Sequence, residues 1–276
     1  MSSGQKGILK VVGTGIKAVS DVTLEAVAHI EQADKVLYLV ADPVTAYWIT
    51  TLNKNSEDLY GFYGEGKPRI QTYNEMVERI LTCVREGGKV CVAMYGHPGV
   101  FAYPTHESVR RAREEGFDAQ MLPGVCTTDC LFADLGVDPG NSGCQSFEAT
   151  DFLVYRRAFD PSCHLILWQI AVIGVPTYKM QRCNDDGLKV LIEVLSEHYD
   201  LDHEVTVYQA SQYVVSEPII RRVPLAGLLD AGVNGISTLY VPPKIERAPD
   251  ARMRERLGLF RRLAETPVAA PVSVAS

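Results

Sequence analysis

Short apolar runs alternate with amphipathic stretches along the first half of the chain. Ile8-Leu9-Lys10-Val11-Val12 is rich in branched residues and stops at Gly13-Thr14-Gly15, so it reads as a strand followed by a turn. Beyond the turn, Asp21 is placed to cap a helix whose Val22, Leu24, Ala26, Val27 and Ile30 recur at near-helical spacing. Val36-Leu37-Tyr38-Leu39-Val40 is the next expected strand, and Pro43 opens a second helix. After a glycine-rich loop, residues 70–85 carry Ile70, Tyr73, Met76, Val77 and Ile80 as the apolar stripe of a third helix. Val90-Cys91-Val92-Ala93-Met94 is apolar throughout, as in a strand buried on both faces. Gln120-Met121-Leu122 and a helix near residues 128–135 continue the alternation. The pattern predicts an α/β domain with a largely parallel sheet.

Turn-forming residues crowd together at Asp138-Pro139-Gly140-Asn141-Ser142-Gly143, which places a domain boundary there. Beyond it, strands are expected over 164–168, 204–208, 218–220 and 236–241, with one helix over 186–198. That is an α+β arrangement with a mixed sheet. The expected division is an N-terminal α/β domain (1–138), a C-terminal α+β domain (139–243), and a basic helix with a disordered tail (244–276). In the last segment Met253, Leu257, Phe260 and Leu263 share one face of a helix over 250–263. The Pro/Ala/Val/Ser composition of 267–276 predicts disorder.

Composition narrows the class. With 46% hydrophobic and 22% charged residues, the chain is globular in character, and 276 residues suit about two domains. No apolar run approaches the roughly 20 residues that span a bilayer. The opening Met-Ser-Ser-Gly-Gln-Lys lacks the apolar core of a secretory signal, so a cytoplasmic protein with no membrane partner is expected. A net charge of −7 argues against a nucleic-acid partner. The 7 cysteines include no Cys-x-x-Cys pair and read as reduced thiols. Cys126 and Cys130 are four residues apart but lack a histidine at ligand spacing, so no metal site is expected.

Candidate chemistry begins with the glycines. Gly13-Thr14-Gly15, between a strand and a helix, is compatible with a nucleotide-binding turn, although Ala18 stands where a third glycine belongs. The same turn serves equally as a tight connection. No Walker lysine-serine pattern, His-Glu-x-x-His or Gly-x-Ser-x-Gly occurs, which removes the common phosphate-loop and hydrolase signatures. Tyr95-Gly96-His97-Pro98-Gly99-Val100-Phe101 sits at the C-terminal end of the buried strand, where open α/β sheets hold their ligands. A plain turn is the alternative reading of that loop.

Taken in order, Val12-Gly13-Thr14-Gly15, Asp21-Val22-Thr23-Leu24-Glu25-Ala26, Ala33-Asp34-Lys35-Val36, Gly96-His97-Pro98 and Pro123-Gly124-Val125-Cys126 resemble the tetrapyrrole methylase superfamily, the class III methyltransferases that use S-adenosylmethionine (SAM). A narrower set looks like the borosin peptide-backbone α-N-methyltransferases. It comprises Tyr63-Gly64-Glu65-Gly66-Lys67-Pro68-Arg69 with Tyr73, residues 95–101 and 129–135, Asp138-Pro139, Phe147-Glu148-Ala149, Trp168-Gln169 and residues 236–243.

The resemblance implies two α/β domains with SAM bound between them. Methyl groups pass to backbone amide nitrogens of a ribosomally made precursor peptide, leaving S-adenosylhomocysteine. Carried over position by position, it implies Tyr63, Arg69, Tyr73 and Tyr95 as the catalytic set. The implied cofactor-binding residues are Gly13, Tyr95, His97, Val100, Phe101, Thr127, Gln169, Tyr208, Ala210, Gly235, Ser237 and Thr238. Cys126-Thr127-Thr128 departs from the family's usual Ser-Ala, so a Thr127 contact is expected through its backbone. A homodimer is also implied, with no metal.

The chemistry is coherent. An amide nitrogen is a poor nucleophile because its lone pair is delocalised into the carbonyl. Arg69, a permanent cation with a planar fork of donors, suits an imidate-like oxygen. Tyr63 and Tyr73 are candidates for taking the proton, provided the nearby guanidinium lowers a tyrosine pKa from its usual value near 10. If the third helix starts at Arg69, Tyr73 lies one turn away on the same face. His97 is assigned to loop geometry, and His106, His164 and His203 to structure.

Fused borosin precursors carry their core peptide after the enzyme domain, whereas only residues 244–276 follow Pro243 here. The expectation is therefore a split system acting on a separate precursor peptide, with self-methylation near Val268, Val272 and Val274 as the lesser alternative. A tetrapyrrole-type small-molecule methyltransferase and a non-enzymatic SAM-binding module are the competing functions.

Overall fold

The computed structural model describes residues 7–40, 42–178 and 183–259. The chain runs β1 (Ile8–Gly13), α1 (Leu24–Gln32), β2 (Lys35–Leu39), α2 (Pro43–Leu52), β3 (Ser56–Asp58), α3 (Arg69–Arg85), β4 (Lys89–Met94), α4 (Tyr103–Glu114) and β5 (Asp118–Met121). It continues through α5 (Thr127–Leu135), α6 (Pro139–Ser142), β6 (Cys144–Glu148), α7 (Ala149–Val154), β7 (His164–Trp168), α8 (Asp185–Ser196), β8 (Glu204–Gln209), β9 (Ile219–Pro224), β10 (Thr238–Val241) and α9 (Ala251–Arg256).

The strands form two sheets, ordered β3-β2-β4-β1-β5 and β6-β7-β10-β8-β9. Every pairing in the first is parallel. In the second only β6 and β7 run parallel, and the other pairs are antiparallel. The α/β and mixed-sheet expectations hold.

Period-two alternation explains the layers. Leu9, Val11, Leu37, Val90 and Val92 face α3 and α4, while Val12, Val36, Tyr38, Cys91 and Ala93 face α1 and α2. Burial on both sides makes these strands nearly continuous apolar runs, apart from Lys10 and the leading Lys35 and Lys89. In the second sheet Leu165, Leu167, Val205, Val207, Leu239 and Val241 pack on α7 and α8. Its opposite face, Ile166, Trp168, Tyr208 and Tyr240, receives Leu131 from α5. Leu131 is fully buried there, worth roughly 1.5–3 kcal/mol. The helix just before the expected boundary thus packs on the second sheet.

Three local readings need correction. Thr23, not Asp21, caps α1, its hydroxyl accepting from the Ala26 amide. Asp21 instead accepts from the Ile16 and Lys17 amides at 3.3 and 2.8 Å, closing the turn ahead of the helix. Ile70 is exposed, and the core stripe of α3 runs through Met76, Val77, Ile80, Leu81 and Val84. Of the expected helix over 250–263, the described part is Ala251–Arg256 with Met253 and Leu257 exposed. Phe260, Leu263 and the expected tail lie outside the described residues.

The hydrophobic pattern gave no sign of β3, which reads Ser-Glu-Asp. It is held by charge: Arg79 of α3 forks onto Glu57 at 2.7 and 2.6 Å, and Lys35 adds an ion pair at 3.0 Å. The Arg79 hydrogen bond is the main reason that the Glu57 carboxyl sits at about 2. No described helix is long and apolar enough to cross a membrane.

Candidate active site

Three turns meet at the C-terminal ends of β1 and β4. Gly96 donates its amide to the Gly15 carbonyl at 2.9 Å, and Tyr95 donates to Leu39 O at 2.9 Å. Gly13 lies beneath this junction. A Cβ there would collide with the Gly96 carbonyl oxygen and stand 2.9 Å from Pro98 Cδ and 3.2 Å from Gly124 Cα. Glycine is required at 13 for this close backbone packing.

Above the junction is a cavity of about 230 Å³, walled by both sheets. The first sheet contributes Ile16, Tyr95, Gly96, His97, Val100 and Phe101. The second contributes Trp168 and Gln169 after β7 and residues 235–238 before β10, and Cys126 and Thr127 at the start of α5 complete it. Phe101 and Trp168 meet across it with ring centroids 5.5 Å apart.

Two of its residues carry backbone strain, with φ of +52° at Phe101 and +58° at Gln169. Left-handed conformations at such residues cost on the order of 1–3 kcal/mol and cluster at ligand sites. The loop leading to Phe101 is stiffened by His97, whose Nδ1 accepts from the Gly99 amide at 3.0 Å. That bond puts the proton of the neutral ring on Nε2. The buried Ser237 hydroxyl accepts from Gln209 and from the Asn234 amide, both at 2.9 Å. Aromatic faces beside hydroxyl, amide and glycine backbone groups suit a flat ligand with polar edges.

Nine of the twelve residues expected to bind cofactor line this cavity: Tyr95, His97, Val100, Phe101, Thr127, Gln169, Gly235, Ser237 and Thr238. Gly13, Tyr208 and Ala210 do not. Tyr208 is fully buried, and its hydroxyl donates to Asp134 at 2.6 Å. Burial, then that hydrogen bond, drives its pKa far up. Ala210 packs on the same side of the sheet.

A second cluster is built by the loop before α3. Arg69 is the first residue of the helix and Tyr73 follows one turn later, as the spacing predicted. Tyr63 packs at 4.8 Å against Tyr178 and at 5.5 Å from Tyr60. Tyr73 stacks on Tyr103 at 6.2 Å. The neighbouring Tyr73 favours the protonated form of Tyr63.

The expected lowering of a tyrosine pKa by the guanidinium does not prevail at Tyr63. Arg69 does pull the Tyr63 pKa down, but burial and then Tyr73 push it up by more, so Tyr63 stays a phenol. Tyr178 is raised to about 12, chiefly by its hydrogen bond with Tyr60. Tyr95 is also raised by burial, partly offset by Gln212.

The four expected catalytic residues therefore occupy two places. Tyr63, Arg69 and Tyr73 share the cluster, and Tyr95 lies in the cavity. No described contact joins Tyr95 to the other three. Phe101 of the cavity wall is two residues from Tyr103, which covers Tyr73, so the sites adjoin through residues 101–103. Sequence reasoning assigned no role to Tyr60, Tyr103, Tyr178, Ile16 or Ile236. Trp168 and Ile236 stood inside motifs that carry the resemblance, and Tyr60, Tyr103, Tyr178 and Ile16 carry no local signal beyond their residue type.

His106, His164 and His203 bond Gly99 O, the Tyr240 hydroxyl and Pro242 O at 2.8, 2.7 and 3.1 Å, in keeping with structural roles. Among the described residues no group of three His, Cys, Asp or Glu is arranged to hold a metal ion.

The signature of the family described as Tetrapyrrole (Corrin/Porphyrin) Methylases matches residues 9–212. The chain is 43% identical over 260 residues to a methyltransferase/ribosomally synthesized cyclic peptide gymnopeptides precursor from Gymnopus fusipes, covering 93% of this chain and 62% of that protein. It is also 43% identical over 259 residues to a methyltransferase/ribosomally synthesized type III borosin cyclic peptide precursor from Anomoporia bombycina, covering 92% of this chain and 30% of that one. The chain thus spans less than two thirds of either relative. Its fold matches a uroporphyrin-III C-methyltransferase from Thermus thermophilus complexed with S-adenosylhomocysteine, with a TM-score of 0.58 at 17% identity, over 86% of this chain and 92% of that one.

Proposed function

The chain belongs to the tetrapyrrole (corrin/porphyrin) methylases, a methyltransferase family, and from that premise we propose that it transfers methyl groups from SAM to backbone amide nitrogens of a peptide. The observation that carries the peptide reading is the Tyr63–Arg69–Tyr73 cluster beside the cavity. It is supported by identities of 43% to methyltransferases whose own chains include a peptide precursor.

The cavity residues fit SAM. Phe101 and Trp168 offer apolar faces, Ser237, Thr238 and Gln169 offer polar edges, and Gly96 and Gly235 leave the backbone open. When bound, SAM supplies an electrophilic methyl on a sulfonium that needs no metal activation. Arg69 holds the peptide carbonyl oxygen and stabilises the negative charge that grows there as the N–H is lost. Tyr73, one helical turn from Arg69, gives its own phenolic proton to solvent and then takes the amide proton on its hydroxyl oxygen. Tyr95, in the cavity, orients the donor. Gly13, Tyr208 and Ala210 act through packing and backbone.

The finer parts of the proposal are a separate precursor chain as substrate, a homodimer as the assembly and a cytoplasmic setting. Incubation with SAM and a synthetic apolar peptide, followed by fragmentation mass spectrometry, tests the reaction. The expected result is a mass gain of one methyl per transfer, located on backbone nitrogen. Methylation of a porphyrinoid with no peptide product rejects the reading. Saturable SAM binding without transfer to any acceptor rejects it too, in favour of a binding module. Methyl groups found only on the enzyme's own chain reject the separate substrate, and sedimentation analysis reads the dimer.

A further inference from the structure

Residues 63–69 do not hold their shape alone. The Gly66 amide donates to Tyr178 O at 2.9 Å, the Tyr178 amide donates to Lys67 O at 2.9 Å, and the Arg69 amide donates to Pro176 O at 3.1 Å. The segment 176–178 follows β7, so the loop carrying Tyr63 and Arg69 is strapped down from the second sheet. The side chains repeat the connection. The Tyr178 and Tyr63 rings are 4.8 Å apart at 37°, and the Tyr178 and Tyr60 hydroxyls are 2.7 Å apart. Tyr63 is therefore held between two tyrosines that are tied to each other.

We propose that Tyr178 is a positioning residue, which together with Tyr60 fixes the Tyr63 ring in the cluster with Arg69 and Tyr73. The kinetic consequence rests on the methyl-transfer reading above, whereas the geometry does not. Tyr178 does not line the cavity, so it acts on the orientation of Tyr63 and not on SAM binding. Its two contributions are separable. The hydroxyl bond to Tyr60 sets the ring's angle, and the ring itself blocks alternative rotamers of Tyr63.

The test uses the full chain with Tyr178→Phe, Tyr178→Ala, Tyr60→Phe and the Tyr60→Phe/Tyr178→Phe double variant. Each is assayed with SAM and the synthetic peptide that the unaltered protein methylates. Tyr178→Phe should lower kcat by about two- to tenfold, the scale of one lost hydroxyl bond, with KM and SAM affinity within about twofold. Tyr178→Ala should fall further, and Phe should restore part of the loss. The double variant should be no slower than either single one, because both remove the same bond.

Amide exchange over residues 64–69 should quicken in Tyr178→Ala and stay near the unaltered rate in Tyr178→Phe. Unchanged kcat in Tyr178→Ala, or additive effects in the double variant, overturns the proposal. If the unaltered protein methylates no peptide, the functional reading fails separately. Exchange then decides the positioning role alone: an unchanged rate in Tyr178→Ala overturns it, and a quickened one supports it.

Discussion

Replacing Gly13 with alanine tests how the cavity loop is built. The added methyl would meet the Gly96 carbonyl oxygen, Pro98 Cδ at 2.9 Å and Gly124 Cα at 3.2 Å. These are backbone and ring atoms with no rotamer to move into, so relief requires parting the turn after β1 from the 95–101 loop. Overpacking of this kind costs about 1–3 kcal/mol. The smaller unfolded-state freedom of alanine offsets about 0.4–1 kcal/mol. A net loss of roughly 1–2 kcal/mol is expected. Gly96 lines the cavity, so the displacement should also weaken SAM binding. Urea unfolding measures the first effect and calorimetric titration the second. Unaltered stability and affinity together would refute the packing account. Unaltered stability with lost affinity would return Gly13 to the role of a direct ligand contact, as the sequence first suggested.

Arg69→Ala and Tyr73→Phe should each abolish methyl transfer while SAM binding, by calorimetry, stays within about twofold, since neither lines the cavity. Turnover at the unaltered rate in both variants would remove the cluster from the chemistry. Tyr208→Phe should destabilise the fold by about 1–2 kcal/mol in urea, because Asp134 loses the donor to its carboxylate, and should leave SAM affinity nearly unchanged. A large loss of affinity would show that Tyr208 does touch the ligand. The Glu57 pKa is depressed from 4.5 to about 2, so its stabilisation is fully present above about 4.5 and is lost as pH falls through about 2. Glu57→Gln should accordingly flatten that acid limb of the stability–pH curve, and an unchanged limb would exclude the Arg79 pair as its source.

Elements buried on both faces were the easiest to read from sequence. β4 announces itself because every one of its central residues is apolar, and α3 because Met76, Val77 and Ile80, within the expected stripe that also took in Ile70 and Tyr73, recur at helical spacing. β3 and β6 were not legible. Ser-Glu-Asp and Cys-Gln-Ser-Phe-Glu lie at sheet edges, where charge and half-exposure replace the apolar pattern. The site divides in the same way. The 95–101 loop and Arg69 with Tyr73 were visible as local spacing. That Tyr208 hands its hydroxyl to Asp134, 74 residues away, was not. Nor was the burial that outweighs Arg69 at Tyr63, because desolvation is a property of the packed fold and not of neighbours in the chain.

The strap between residues 66–69 and 176–178 also bears on the order of folding. The first sheet is complete by Met121, yet the loop carrying Tyr63 and Arg69 waits for partners more than a hundred residues further along. Such distant pairings close late, because the ordering of the intervening chain must come first. A chain emerging from its N-terminus would fold its parallel sheet while these side chains were still unframed. The Tyr63–Arg69–Tyr73 cluster is thus among the last parts to assemble, and a half-made or half-unfolded copy lacks its frame even when its first sheet is intact.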